Sequence, residues 1–164
     1  MDPRADGFAR LLRLNGRLLL NCLDGVSDDR AAARVMSGAN SMAFIVAHMV
    51  DARHALLGFL GGSLHNPLQP VLGDARTMDD VVAMPPLATL IAAWQAVDDA
   101  LGVRLNDIEP ASLDTPAAQR YPGGDGSVLG ALAFLVQHDS YHLGQLALLR
   151  RAHGLPAMKY SSRS

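Results

Sequence analysis

His138 and His142 stand four residues apart in the string His138-Asp139-Ser140-Tyr141-His142-Leu143-Gly144-Gln145. At about 100° per residue on an α-helix, that spacing stacks two imidazoles one turn apart and lets their nitrogens converge on a single cation. Gln145 shares their face with Ala131, Leu135 and Leu149, all within about 80° on the helix wheel. It therefore points inward with the histidines, either to hydrogen-bond a ligand or metal-bound water or to tie down loop backbone. His48 lies in a separate apolar run flanked by Phe44, Ile45, Ala52 and Ala55. Three inward imidazoles in one small core would each need a partner, and protonating them together would gather like charges in low dielectric. A divalent cation satisfies all three at once. Three neutral nitrogen ligands also leave a coordination position open, the arrangement of a catalytic site rather than a closed structural one. The donor set suits zinc, nickel, copper or iron.

Other candidates are weighed against this set. Asp51, one turn after His48, is read either as an acceptor holding an imidazole tautomer or as a solvated helix charge. Asp139 makes the string resemble the zinc-protease pattern His-Glu-x-x-His, but Asp is a methylene shorter and points about 100° away from His138. A protease reading is rejected. His54, six residues after His48, is expected to face outward, and His65 to lie in a loop. His153 is expected at a helix C-terminus, where the macrodipole favours a cation. Cys22 is the single cysteine, cannot form an internal disulfide, and sits in an apolar stripe as a buried core thiol.

Four amphipathic helices must position these residues. The first carries Phe8, Leu11, Leu12, Leu18, Leu19, Cys22 and Leu23 at three-four spacing, interrupted by Asn15 and stopped at Gly25. The second opens at Asn40 or Ser41 and ends at Gly61 and Gly62. Pro85 and Pro86 start the third, with the stripe Leu87, Leu90, Ile91, Trp94, Val97, Leu101 and Leu105. Ser127 caps the fourth, which runs to about His153 before Gly154 and Pro156. The expected architecture is all-α, a four-helix bundle over residues 1–156, followed by a frayed tail at 157–164. The connections around 63–84 and 106–126 are long enough to cross the bundle and to wall a pocket.

Composition agrees. The chain has 164 residues, 49% hydrophobic and 18% charged, which suits one domain with a substantial core. Leu and Ala number 51 against 17 for Val, Ile and Thr, a bias toward helix formers. A net charge of -2 without a basic block argues against nucleic-acid binding. Apolar stretches of about ten residues, half of a membrane span, and no signal-peptide pattern give the expectation of a soluble, cytoplasmic protein with no membrane partner.

The segment His138-Asp-Ser-Tyr-His142-Leu-Gly-Gln145-Leu-Ala-Leu-Leu-Arg150, together with Ala47-His48, resembles the DinB/YfiT-like superfamily of metalloenzymes, over about Phe8 to Gly154. The resemblance implies an up-down-down-up four-helix bundle, often a homodimer, with nickel or zinc held by His48, His138 and His142. It also implies a small-molecule substrate and a low-molecular-weight thiol such as mycothiol or bacillithiol. Asp139 departs from the resemblance, since an acid of Glu length is common there. Two functions follow as expectations: a metal-dependent transferase or hydrolase, or a non-catalytic, metal-stabilised bundle acting as a stress-response or binding module.

Overall fold

The computed structural model describes residues 2–160. Among them the only regular elements are helices, and β-structure is limited to an isolated bridge between Pro116 and Ser127. Helix α1 spans Pro3–Leu23, with the Asp2 carboxylate accepting from the Arg4 N–H and proline in its first turn. It thus begins a turn earlier than its apolar stripe. The short α2, Asp28–Ala32, is capped by Ser27. Helix α3 spans Met42–Phe59 behind Ser41, whose hydroxyl accepts from the Phe44 N–H at 3.2 Å.

The connection after α3 contains a short α4, Gln69–Leu72, and a 3₁₀ turn, Met78–Asp80, closed by a reciprocal Thr77/Asp80 capping box. Helix α5 is Leu87–Asn106, starting after Pro86. A 3₁₀ turn, Pro110–Asp114, precedes α6, Val128–Ala152, capped by Ser127. The two long connections are therefore partly helical, because brief Asp, Thr and Pro capping signals suffice for single turns that hydrophobic periodicity cannot register.

The four long helices pack pairwise, α1 and α3 each against both α5 and α6. One core cluster gathers Leu18, Leu19, Cys22 and Leu23 of α1, Met42 to Val50 of α3, Leu87 to Trp94 of α5 and Leu143 to Leu149 of α6. The other gathers Ala5 to Leu12, Leu56 to Leu60, Val97 to Leu105 and Val128 to Val136. Helix α3 is long and apolar enough to cross a membrane by length and composition, although no unbroken apolar run in it approaches that length. Most of it is buried against its neighbours, as in a core helix.

Two details depart from the sequence reading. The buried face of α3 runs through Val46, Met49, Val50, Arg53, Leu56 and Leu57, whereas Ala55 is exposed and His48 and Ala52 are only half-buried. His48 thus stands at the edge of the apolar face, not its middle. The chain past α6 also folds back. The Met158 sulfur lies 3.2 Å from Cys22 Sγ, and the Lys159 carbonyl accepts from Asn21 Nδ2 at 2.8 Å. Residues 161–164 of the expected tail lie outside the described residues.

Candidate metal centre

His48 is carried by α3, and His138 and His142 by successive turns of α6. Their Nε2 atoms meet: His138 Nε2 lies 3.0 Å from His48 Nε2 and 3.1 Å from His142 Nε2. The rings stand edge to face, with centroids 4.4 to 4.9 Å apart. All three are half-buried, at the seam between α3 and α6. Each is held below the usual imidazole range chiefly by burial, His138 at about 4, where the neighbouring imidazoles add to the effect. All three are therefore neutral at pH 7, the form that ligates a cation.

The donors and acceptors do not balance within the protein alone. His142 Nδ1 lies 2.7 Å from Gln145 Oε1. A carbonyl oxygen can only accept, so Nδ1 carries the proton and His142 Nε2 presents its lone pair to the centre. If His138 Nε2 is also unprotonated, two lone pairs face each other. If it is protonated, His138 Nδ1 becomes a buried acceptor without a partner, as no hydrogen bond reaches it. A cation among the three Nε2 atoms removes the facing lone pairs; His138 Nδ1 then carries the proton, as a buried donor. Two nitrogens about 2.1 Å from one ion and roughly 90–110° apart are about 3.0–3.4 Å from each other, so the observed spacings fit the donor set to a divalent metal.

The profile of the DinB superfamily matches residues 11–146, a span that holds all three histidines and Gln145. The chain belongs to the DinB superfamily. Among curated proteins, none matches it significantly. The three-histidine cluster of this DinB protein is compatible with metal binding.

Several expectations about neighbouring residues are revised. Asp51 makes no hydrogen bond to an imidazole; it is exposed, and its carboxylate accepts from Asn66 Nδ2 at 2.8 Å, tying the 63–68 loop to α3. Of its two readings as tautomer-holding acceptor or solvated charge, neither is complete. Gln145 is half-buried, and the partner of its Oε1 is neither loop backbone nor a ligand but His142 Nδ1. His54 is half-buried rather than solvated, its Nε2 out of contact with solvent. Burial lowers its pKa against an opposing hydrogen bond donated to the Leu64 backbone, because the chain after Gly62 packs over that face of α3. His153 is the C-cap residue of α6. Cys22 is fully buried, and desolvation pushes its thiol up to about 11.

A charged group missed by the periodicity lies beside the histidines. Arg53 is 1% exposed, and its Nε and Nη2 both donate to Asp139 Oδ2, at 3.0 and 2.8 Å. Its guanidinium also pairs with Asp98, lies 3.8 Å over the Trp94 ring, and donates to the Leu12 carbonyl at 3.1 Å. Asp139 is thus occupied by Arg53 and is no general base, and burial raises its pKa despite that pairing. The sequence signal was the one-turn line Met49, Arg53, Leu57, in which a charged residue interrupts an apolar face.

A cleft of about 790 Å³ is lined by Pro122 to Asp125 with Phe8, Leu129, Phe134 and Gln137. The second long connection therefore walls it, but the 63–84 segment does not. Phe134 connects this cleft to the histidines, its ring 4.8 Å from Tyr121 and 6.3 Å from His138.

Proposed function

We propose that this chain is a metal-dependent enzyme of transferase or hydrolase type, in which His48, His138 and His142 hold a divalent ion, zinc or nickel. The observation that carries the reading is the meeting of three neutral Nε2 atoms at a half-exposed seam, with one tautomer set by Gln145. Half-exposure leaves room for a further ligand, as a catalytic site requires. A bound ion would supply a Lewis acid that generates a nucleophile from water or a thiol at neutral pH. The chain's own part is to keep the imidazoles neutral by burial, to hold His142 through Gln145, and to present the Phe134 and Tyr121 rings beside the site. A low-molecular-weight thiol as co-substrate and a homodimeric state rest on the superfamily resemblance.

The architecture we infer is an up-down-down-up four-helix bundle. It is supported by the order in which each helix visits the two core clusters: α1 and α6 pass from the cluster of Leu12 and Leu132 to that of Leu19 and Leu146, and α3 and α5 pass the other way.

The test is turnover with a panel of low-molecular-weight thiols and electrophilic acceptors. A rate abolished by chelation and restored by zinc or nickel supports the enzyme; a chelator-insensitive rate contradicts it. One observation favours a structural role for the same ion: its ligands come from two helices already locked together, so it would cross-link α3 to α6. In that case chelation lowers the melting temperature strongly and no thiol or acceptor is turned over.

A further inference from the structure

The histidine triad and the Arg53–Asp139 pair bridge the same two helices. On α6 the two bridges start from adjacent residues, His138 and Asp139; on α3 they start five residues apart, at His48 and Arg53. Helix side chains lean toward the N-terminus, and the long arginine leans back by about a turn, which brings its guanidinium toward the level of His48. A single bridge between two helices lets one pivot or roll against the other. Two bridges from adjacent residues pointing about 100° apart fix both the axial register and the roll.

We infer that Arg53 and Asp139 are positioning residues that set the register and roll of α6 against α3, so that His138 and His142 meet His48. The guanidinium is itself held by every other long helix. Leu12 of α1 offers its carbonyl, Asp98 and Trp94 of α5 supply a carboxylate and a ring face, and Asp139 belongs to α6. Gly16 allows the close approach of α5 to α1, since a Cβ there would lie 2.4 Å from Asp98 Oδ2. The Trp94 Nε1–H donates to the Gly16 carbonyl at 3.3 Å. Arg53 therefore has one place to sit, and Asp139 follows it. A turn or less from Asp139, Asn15 of α1 donates to Ser140 Oγ at 3.1 Å, a further restraint on the roll of α6.

This inference rests on the metal reading, and its test separates the two. Zinc affinity is measured by chelator competition on the folded wild type, on Asp139→Asn and on Arg53→Lys, with Leu105→Ala as a control that opens a cavity in the other core cluster. Mispositioned ligands are expected to lower affinity ten- to hundredfold in Asp139→Asn and Arg53→Lys. Leu105→Ala, though destabilised, is expected to stay within about threefold of wild type. Affinity unchanged in both polar variants, or lost equally in Leu105→Ala, overturns the inference while leaving the metal reading intact. If Asp139→Asn does not fold, Arg53→Lys, which keeps the charge, carries the comparison.

A metal-free readout covers the remaining case. Long-range ¹H–¹⁵N spectra of the apo protein are expected to show the Nε2 signals of His48 and His138, which face each other across α3 and α6, displaced in Asp139→Asn or Arg53→Lys relative to wild type. Identical ring signals in all three proteins overturn the inference. Wild type that binds no zinc, with ring signals that do change, contradicts the metal reading alone.

Discussion

At the residue scale, the chemistry depends on which nitrogen of each imidazole carries its proton. Gln145 decides this for His142 by accepting from Nδ1. Gln145→Leu keeps the approximate volume and removes the acceptor, so metal affinity by chelator competition is expected to fall about 10–100-fold, with little change in apo melting temperature. The same histidines make the apo protein acid-sensitive. Their folded pKa values lie below the unfolded value near 6.5, with His138 at about 4, so the unfolded chain binds more protons in that interval. Apo stability is therefore expected to be fully retained above about pH 6.5 and to decline as pH falls toward 4. Melting temperatures across that range check it, and a flat profile would contradict the buried, neutral triad.

These residues differed in how legible they were. The pairing of His138 with His142 follows from spacing alone, and His48 from its apolar neighbours. Arg53 did not, because a charged residue in an apolar helix is ordinarily solvated, and only its partners on three other helices make burial tolerable.

At the scale of elements, local signals carried far. Ser41 and Ser127 begin the helices that hold the site and Pro86 the helix that packs beside them, as the capping chemistry of Ser and the fixed φ of Pro predict. The roll of α3 was not legible. Its apolar residues run almost all the way round, so the pattern gives no sharp direction, and the interior face is set instead by where Arg53 finds Asp139. Removing one member of that pair strands a buried charge. Arg53→Met is expected to cost about 3–5 kcal/mol by denaturant unfolding, and a double variant with Asp139→Leu to recover a large part of it. At the α1–α5 crossing, Gly16→Ala forces the Asp98 carboxylate away from Arg53 and is expected to destabilise by about 1–3 kcal/mol.

For the whole molecule, the low charge fraction means that polar groups inside the fold stand out. The two buried arginines lie at junctions: Arg53 where four helices cross, and Arg150 where the end of α1 meets the returning chain. Arg150 donates to the carbonyls of Cys22 at 3.0 Å, Asp24 at 2.5 Å and Pro156 at 2.7 Å, closing the exposed end of α1 in place of a basic residue in its own last turn. At the α3–α6 seam the facing Nε2 atoms of His48, His138 and His142 are balanced by a cation and not by a protein group. The most direct measurement of that balance is the metal content of the purified protein by elemental analysis, beside His138→Ala/His142→Ala. The account predicts one divalent ion per chain in wild type and none in the double variant. Wild type free of divalent metal even after incubation with zinc or nickel, or an ion retained in the double variant, would contradict it.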